Sequence, residues 1–176
     1  MTSGARGRLA GLWLYEWLIV STIVVGDQLT KLAVVQRLAL HESVTIVPGL
    51  LDFTHVRNTG AAFGFLNAAD FPGKTVVVAL VALLALIGVA AYAAHLPPGQ
   101  RLARVGLMLI MGGAAGNLID RIRQGYVVDF VDAYWGGWHF WAFNVADAAI
   151  TVGVVIIILD LLRPEPAQAP PQPASE

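Results

Sequence analysis

Four long apolar stretches limit the folds open to this chain more than any other feature of its sequence. They cover about residues 12–36, 75–96, 102–119 and 141–162. A helix needs about 20 predominantly apolar residues to cross the ~30 Å hydrocarbon core of a bilayer. Hydrophobic residues make up 57% of the chain and charged residues 13%, proportions outside the usual range of soluble domains. The sequence therefore predicts an all-α membrane protein with four transmembrane helices in a single domain over residues 1–162.

The two ends of the chain set the expected topology. Arg6 and Arg8 precede an apolar run as in a secretory signal, but the run is long, lacks a clear small-residue cleavage site and continues into a polar helix, so we expect a retained first span. Residues 163–176 are rich in Pro, Ala and Gln and are predicted to form a disordered tail. Four spans place both termini on one side, and the two arginines in the short loop 97–104 favour the cytoplasm for that side.

Two segments between the apolar stretches are predicted to form a small β-sheet on the membrane surface. Residues 44–57 contain β-prone runs around a Pro-Gly turn. Residues 126–141 carry aromatic runs on both sides of a Gly pair, which predicts a hairpin whose Trp and Tyr side chains lie among the lipid headgroups. His41 and His55 lack any metal-ligand spacing, and we expect both to be solvated.

Charged residues within the first apolar stretch need partners. An ionised side chain at the middle of a membrane helix costs about 2.5–3.5 kcal/mol on insertion scales, so it usually faces the protein interior. Asp27 and Lys31 are four residues apart, which lets them pair on one helix face. This pair either only lowers the cost of inserting the helix into the membrane or borders a functional site. Glu16 lies in the aromatic belt at the start of the stretch and is expected to be a charge at headgroup level.

Carboxamide and carboxylate side chains cluster where the third stretch ends and the fourth begins. They are Asn117, Asp120 and Arg121 at the end of the third stretch, Asp129 in the connecting segment, and Asn144 and Asp147 at the start of the fourth. Two neighbouring carboxylates cannot both ionise readily, so one becomes an acid and the other a base, as in the aspartic proteases. Spacing alone does not choose this pair among Asp120, Asp129, Asp132 and Asp147. We expect Asp120 to be a salt-bridge partner that orients Arg121.

Composition excludes several other chemistries. The chain has no cysteine, which rules out disulfides, thiolate catalysis and cysteine-based metal sites. It contains no HExxH zinc motif. Its net charge of -1 leaves no basic excess for binding nucleic acid.

Two other membrane functions stay open on the residues alone. A proton-coupled transporter could also bury Asp27, Lys31, Asp120 and Asp147, although such proteins tend to show internal repeats, and no polar motif recurs between the two halves of this chain. A lipid-headgroup transferase also uses several aspartates, but it would need a divalent metal.

Five blocks of polar and small residues follow one another along the chain. They are Asp27-Gln-Leu-Thr-Lys31, Arg57-Asn58-Thr-Gly60-Ala-Ala-Phe63, Gly113-Ala-Ala-Gly-Asn117-Leu-Ile-Asp120-Arg121, Val127-Val-Asp129-Phe and Phe143-Asn144-Val-Ala-Asp147. In this order, across about residues 12–162, they resemble the prokaryotic lipoprotein signal peptidase family, signal peptidase II. The resemblance implies an intramembrane aspartic endopeptidase. Such an enzyme cleaves the signal peptide from prolipoproteins on the N-terminal side of the diacylglyceryl-modified cysteine.

The resemblance also implies roles for individual residues. Asp129 and Asp147 correspond to the catalytic pair. Asp120 matches a motif position but is not one of the two catalytic acids. The positions that match the surroundings of the family's site are Asn58, Gly113, Asn117, Arg121 and Asn144, together with the first-helix pair Asp27 and Lys31.

The same resemblance implies where the enzyme works and with what. The expected location is the bacterial inner membrane, with the active site and the small sheet at the extracytoplasmic face. No metal or organic cofactor is expected. The expected partners are diacylglyceryl-modified prolipoproteins and membrane lipid, without nucleic acid, and we expect a monomer.

Overall fold

The chain forms four helices and four strands within residues 3–60, 71–97 and 99–163, which this computed structural model describes, with side chains from Leu14 onward. In chain order the elements are α1 (Ser3–Arg37), β1 (Ser43–Val47), β2 (Leu51–Asn58), α2 (Lys74–His95), α3 (Arg101–Gln124), β3 (Val127–Trp135), β4 (Trp138–His139) and α4 (Val145–Leu161). The predicted disordered tail, apart from Arg163, lies outside the described residues.

Three of the described helices are long and apolar enough to cross a membrane, over Leu14–Arg37, Lys74–His95 and Arg101–Gln124. They correspond to the first three predicted spans. The fourth predicted span corresponds to α4, which has 17 residues. The arrangement of four spans therefore stays a prediction.

The third helix is longer than predicted. It continues to Gln124 instead of ending near residue 119. Asp120 is buried, and its carboxylate accepts hydrogen bonds from Gln28 and from the backbone N–H of Val128. Because these donors stabilise its charge inside the protein, the helix can continue past it. The end comes at Gly125, whose φ of 81° suits the left-handed position that closes a helix.

The fourth helix starts later than predicted, at Val145 instead of near residue 141. The backbone of Phe143 pairs with Val131 of β3, which holds the preceding residues in an extended conformation. Asn144 then caps the helix. The sheet therefore sets the starting point of α4.

The bundle is organised around α3, which packs against each of the other three helices. Glycines allow this helix to approach its neighbours closely. A Cβ on Gly106 would lie 2.8 Å from the carbonyl oxygen of Gly153 in α4, and a Cβ on Gly112 would lie 2.9 Å from the Cβ of Ile23 in α1. Side chains at these positions would push the helices apart.

Both β-prone segments form strands, and they join in one antiparallel sheet with the order β1-β2-β3-β4. In the central pair, Val56 of β2 lies opposite Asp129 of β3, and Asn58 lies opposite Val127. This register brings the end of β2 next to the start of β3, where the predicted site residues of the two strands lie.

One end of the sheet is fixed on the helices. Residues 127–130 of β3 are buried on both faces of the strand. Val128 and Phe130 pack with Val34 near the end of α1, and the ring of Phe53 meets that of Phe130 edge-on, with centroids 5.8 Å apart. The start of β3 is therefore held rigidly at one end of the helical bundle.

The prediction of a solvated His55 is wrong, whereas His41 is exposed as expected. The His55 side chain is 4% exposed, and its Nδ1 lies 3.1 Å from the carbonyl oxygen of Leu38. Carbonyl groups at a helix C-terminus lack partners within the helix. His55 supplies one because β2 folds back over the end of α1.

The expectation of a headgroup-level Glu16 is also wrong. Its side chain is buried and forms an ion pair with Arg104 of α3, whose Nη1 also donates to the carbonyl oxygen of Leu96. The pair joins α1, α3 and the end of α2. Glu16 and Arg104 are far apart in the sequence and meet only because their helices pack together.

Candidate active site

Asn144, the N-cap residue of α4, contacts both aspartates that the sequence motifs single out. Its side-chain nitrogen donates to Oδ1 of Asp129 over 2.7 Å, and its backbone nitrogen donates to Oδ2 of Asp147 over 3.3 Å. Its own Oδ1 accepts from the backbone N–H of Asp147 over 3.0 Å, which completes a capping box. Asn144 is 1% exposed. One buried residue therefore ties together a carboxylate from β3 and a carboxylate from the first turn of α4.

Asp129 has a second amide donor in Asn58. The Asn58 Nδ2 donates to Oδ2 of Asp129 over 3.0 Å, while its Oδ1 accepts from the backbone N–H of Gly60 over 2.9 Å. The Gly60 contact fixes which end of the amide faces the carboxylate. Both oxygens of Asp129 are therefore oriented by neutral amides.

The environment of Asp129 favours its protonated form. Burial, followed by the negative charge of Asp147, raises the pKa of Asp129 from its ordinary value of 3.8 to about 7, against the opposing hydrogen bonds from Asn58 and Asn144. At neutral pH this carboxyl group therefore holds a proton in a substantial fraction of molecules. Such a group can act as a general acid.

Asp147 is held by donors from α3 and α4. Asn117 Nδ2 donates to Oδ1 of Asp147 over 2.8 Å. The Oδ1 of Asn117 accepts from Lys31 Nζ over 2.8 Å and from Asn144 Nδ2 over 3.2 Å, which fixes the orientation of its amide. Asp147 also lies in the first turn of α4, where the helix dipole favours a negative charge.

Lys31 of α1 lies next to Asn117 and is 4% exposed. Its Nζ is 2.8 Å from Asp27 Oδ2, 2.9 Å from Asp120 Oδ2 and 2.8 Å from Asn117 Oδ1. The ammonium group has three N–H donors, and these three oxygens can take all of them. Asp27 also accepts from the backbone N–H of Ala146 over 3.0 Å. The Asp27–Lys31 pair therefore contacts the group that holds Asp147 through Asn117, and its part in function stays a prediction.

The expectation that Asp120 orients Arg121 is wrong. Asp120 binds Lys31, accepts from Gln28 Nε2 over 2.8 Å, and accepts from the backbone N–H of Val128 over 3.3 Å. Successive residues of a helix do not face each other, so these two neighbours point to different surroundings. Gln28 was not singled out by the sequence reasoning, although it lies within the first motif block.

Arg121 binds backbone instead of carboxylates. Its Nη2 donates to the carbonyl oxygen of Gly60 over 3.0 Å, and its Nη1 donates to that of Asn117 over 3.3 Å. It therefore fastens the segment after β2 to α3 beside the two aspartates.

Gly113 supports the site by the absence of a side chain. A Cβ at this position would overlap the carbonyl group of Ala146 and would lie 2.8 Å from Cγ1 of Ile150. The first turn of α4 can therefore pack directly on α3, which brings Asn117 within reach of Asp147.

Asp132, which spacing alone left as a candidate, takes a different position. It lies on the partly exposed half of β3, and its carboxylate oxygens are 3.0 Å from Nδ1 of His139 in β4. The aspartates joined through Asn144 are Asp129 and Asp147, as the motifs suggested.

The sequence and the fold match known proteins over most of the chain. Residues 19–163 match the sequence family described as Signal peptidase (SPase) II. The chain is 45% identical over 152 residues to the lipoprotein signal peptidase of Geobacter metallireducens, covering 86% of this chain and 93% of the relative. Over 142 residues it is 47% identical to the lipoprotein signal peptidase of Symbiobacterium thermophilum, covering 81% and 90%.

Solved structures agree with these relatives. A bacterial membrane enzyme determined by the in meso method shares 34% sequence identity and has a TM-score of 0.76, over 84% of this chain and 87% of that chain. A second structure of the same description shares 29% identity with a TM-score of 0.75. The chain therefore belongs to the signal peptidase II family.

Proposed function

We propose that this chain is an aspartic endopeptidase that cleaves signal peptides from prolipoproteins on the N-terminal side of the diacylglyceryl-modified cysteine. Membership of the signal peptidase II family makes it a peptidase of lipoprotein processing. The observation that supports the aspartic mechanism best is the shared contact of Asp129 and Asp147 with Asn144. Aspartic proteases activate water with a pair of carboxyl groups, one of which keeps its proton while the other is ionised.

In the proposed resting state Asp129 carries the proton and Asp147 is ionised. Asp129 is buried, and its pKa of about 7 suits a group that donates a proton near neutral pH. Asp147 accepts from Asn117 and from the backbone of Asn144 at a helix N-terminus, which favours its charge relative to that of Asp129. Asp129 therefore acts as the acid and Asp147 as the base.

The reaction then proceeds by general acid and base catalysis. Asp147 takes a proton from water as the water oxygen attacks the scissile carbonyl carbon, and Asp129 gives its proton to the carbonyl oxygen, which yields a neutral tetrahedral diol. Asp147 next passes its proton to the amide nitrogen while Asp129 takes one back from a diol hydroxyl. The C–N bond breaks, leaving a carboxyl terminus on the signal peptide and a free amino group on the lipidated cysteine. Both acids return to their starting states.

The surrounding residues hold this pair in place. Asn58 and Asn144 orient Asp129, while Asn117 orients Asp147. Arg121 holds the carbonyl group of Gly60, two residues after the end of β2. These groups would hold the aspartates or the extended backbone of the substrate.

The proposal includes a topology. Four helices cross the inner membrane, the termini lie in the cytoplasm, and the sheet lies at the extracytoplasmic face. The diacylglyceryl chains of the substrate lie among the helices, so the scissile bond meets the acids beside the lipid surface. The enzyme acts as a monomer without metal or organic cofactor.

Cleavage of a defined prolipoprotein tests this function directly. The purified full chain is mixed with a diacylglyceryl-modified prolipoprotein, with the same protein lacking the lipid, and with the lipidated protein in the presence of a chelator. Remote binding of the lipid contributes to catalysis at the cleaved bond. We therefore expect cleavage of the lipidated protein, with or without chelator, and no cleavage of the protein that lacks the lipid. Mass spectrometry should place the cut immediately before the modified cysteine. Equal cleavage of the unlipidated protein, or loss of activity on chelation, would contradict the proposal.

The pH dependence tests the assignment of Asp129 as the acid. Because the protonated form is the active one and its pKa is about 7, we expect kcat/KM to fall above about pH 7, approaching tenfold per pH unit well above it. Asn58 lowers this pKa by its hydrogen bond, so Asn58→Ala should move the alkaline limb to higher pH. A flat profile between pH 6 and 9, or a limb that Asn58→Ala leaves in place, would remove Asp129 from this role.

A further inference from the structure

The two proposed catalytic acids are carried by backbone segments of different elements. Asp129 belongs to β3 and Asp147 to the first turn of α4. Side-chain amides of Asn58, Asn117 and Asn144 orient their carboxyl groups. These contacts fix how each carboxyl group is turned, but the distance between the two acids also depends on how the two backbone segments are held.

Each of these segments donates a backbone N–H to a buried carboxylate, one residue before its acid. In β3 the N–H of Val128 donates to Oδ2 of Asp120 over 3.3 Å, and in α4 the N–H of Ala146 donates to Oδ1 of Asp27 over 3.0 Å. Both carboxylates are buried, and they belong to α3 and α1. The same kind of contact therefore fixes the backbone next to both acids.

Lys31 joins the two carboxylates. Its Nζ lies 2.8 Å from Asp27 Oδ2 and 2.9 Å from Asp120 Oδ2. A Cβ on Gly116 of α3 would lie 2.7 Å from Asp27 Oδ2, so this glycine lets the carboxylate approach α3. A continuous series of buried contacts therefore runs from the backbone of β3 to the backbone of α4. We call Asp27, Lys31 and Asp120 the carboxylate bridge.

The charge of the carboxylate bridge explains why it holds backbone groups. Two carboxylates and one ammonium group leave one net negative charge in the interior, and buried carboxylates need donors for their remaining lone pairs. Gln28 Nε2 supplies donors, 2.8 Å from Asp120 Oδ1 and 3.3 Å from Asp27 Oδ2. The N–H groups of Val128 and Ala146 supply two more. Because hydrogen bonds to an ionised acceptor are stronger than those to a neutral one, both segments are firmly held.

The segments held by the carboxylate bridge also contact the cap of α4. Asn144 accepts from the N–H of Asp147 and donates from Nδ2 to the carbonyl oxygen of Val128 over 3.3 Å. The first N–H groups of a helix have no partner within the helix, and Asp27 supplies one for Ala146. The bridge and the cap therefore hold the same two segments through different atoms.

We propose that Asp120 is a positioning residue of the reaction, which with the rest of the carboxylate bridge sets the separation of the backbone segments that carry Asp129 and Asp147. Asp120 acts through the backbone of Val128 and not on the substrate. A displacement of about 1 Å between reacting groups can cost roughly 10²-fold in rate. This catalytic consequence rests on the proposed function, whereas the contacts of the bridge do not depend on it.

The kinetic test is Asp120→Ala, with kcat and KM measured for a lipidated prolipoprotein in detergent micelles. Lys31 keeps Asp27 as its partner in this variant, so no buried cation is left unpaired. We expect kcat to fall by roughly 10–100-fold with KM within about twofold, because misplaced acids weaken an interaction made only in the transition state. A kcat within about threefold of the parent, or a loss that appears in KM alone, would overturn the positioning role.

Glu16→Ala is the matched control. Glu16 is another buried carboxylate that joins α1 to α3, through Arg104. At ~1.5 Å per residue it lies about 16 Å from Asp27 along α1. The control should also destabilise the protein but leave kcat within about twofold of the parent. An equal loss of kcat in both variants would show that any broken ion pair slows the enzyme, and would overturn the special role of Asp120.

A second background separates positioning from general damage. Asp129→Asn already lacks the acid that Asp120 places, so adding Asp120→Ala should lower its residual single-turnover rate by less than about threefold. The full loss in this background would overturn the proposal. If Asp120→Ala does not fold, Asp120→Asn replaces it with a smaller expected loss, because its single side-chain oxygen can take only one of the two places that the carboxylate oxygens fill.

Amide hydrogen exchange tests the contact without reference to activity. In Asp120→Ala the N–H of Val128 should exchange roughly 10–100-fold faster, the range for losing a hydrogen bond to a charged group. In Glu16→Ala it should exchange at the parent rate. Unchanged protection of Val128 in Asp120→Ala would overturn the role of Asp120 in holding β3. If the parent itself failed to cleave, the proposed function would fall, while the exchange result would still decide the bridge.

Discussion

Replacing either Asp129 or Asp147 by asparagine is expected to lower the turnover of a lipidated prolipoprotein by roughly 10²–10⁴-fold, the range for losing a positioned acid or base. Asparagine keeps the size of the side chain but can neither donate a carboxyl proton nor accept one from water. Because both groups act in the same step, the double variant should lose little more than either single variant. The measurement is the initial rate of signal-peptide release, at equal amounts of folded protein.

The matched control for this experiment is Asp132→Asn. Asp132 lies on the same strand as Asp129, three residues further on, and pairs with His139 outside the group joined by Asn144. Its substitution should change the rate less than about threefold, since its side chain binds His139 and not the group joined by Asn144. Turnover near the parent level in Asp129→Asn or Asp147→Asn, with the protein folded, would remove that residue from the catalytic pair. A large loss in Asp132→Asn would point to a different pair of acids.

The meeting of Asn117 with Asp147 could be predicted from the order of the apolar stretches. Asn117 lies near the end of one stretch and Asp147 near the start of the next. Consecutive elements tend to be neighbours in space, which places these two helix ends on the same side of the bundle. The 2.8 Å hydrogen bond between Asn117 and Asp147 is the result. The choice of Asp129 over Asp132, by contrast, came from motif resemblance and not from spacing.

The partners of Asp120 could not be predicted by the same reasoning. Asp120 and Arg121 are adjacent in the sequence, yet Asp120 faces Lys31 and Gln28 of α1. Which side of α3 faces α1 depends on the rotation of the helix about its axis. That rotation is fixed by glycine contacts such as Gly112 against Ile23, which sequence periodicity does not reveal.

The buried Glu16 and His55 show a second limit of sequence reasoning. Each side chain has a partner outside its own segment: Arg104 pairs with Glu16, and the carbonyl oxygen of Leu38 at the end of α1 lies beside Nδ1 of His55. A polar residue near a predicted membrane boundary appears solvated when only its own segment is considered. Its true surroundings depend on which element packs over that boundary.

Lys31→Met is expected to destabilise the protein by about 3–5 kcal/mol, the cost of removing one partner of a buried ion pair. Methionine fills a similar volume, but it leaves Asp27 and Asp120 without their shared cation in the interior. Arg37→Met, on the exposed end of the same helix, is the matched control and should change stability by less than about 1 kcal/mol. The measurement is the free energy of unfolding in mixed detergent micelles.

The double variant Lys31→Met/Asp120→Asn separates charge from packing. Asp120→Asn removes one of the two unpaired charges, and its single side-chain oxygen can still accept from Gln28. If the loss in Lys31→Met comes from unpaired charge, the double variant should be more stable than the single one. If the loss comes from packing, the second substitution should add to it. A cost below about 1 kcal/mol for Lys31→Met alone would contradict the buried ion pair altogether.

Lys31→Met should also slow catalysis in the molecules that stay folded. Lys31 fixes the amide of Asn117, whose nitrogen holds Asp147, and a hydrogen bond to a charged group contributes about 1.5–3 kcal/mol, or roughly 10–100-fold in rate if it is lost at the transition state. Turnover measured well below the unfolding temperature should fall by that factor, and the double variant should regain stability without regaining rate, because neither substitution restores the donor to Asn117. Recovery of both stability and rate in the double variant would mean that the ion pair supports only the fold. Asn117 would then keep its orientation without Lys31.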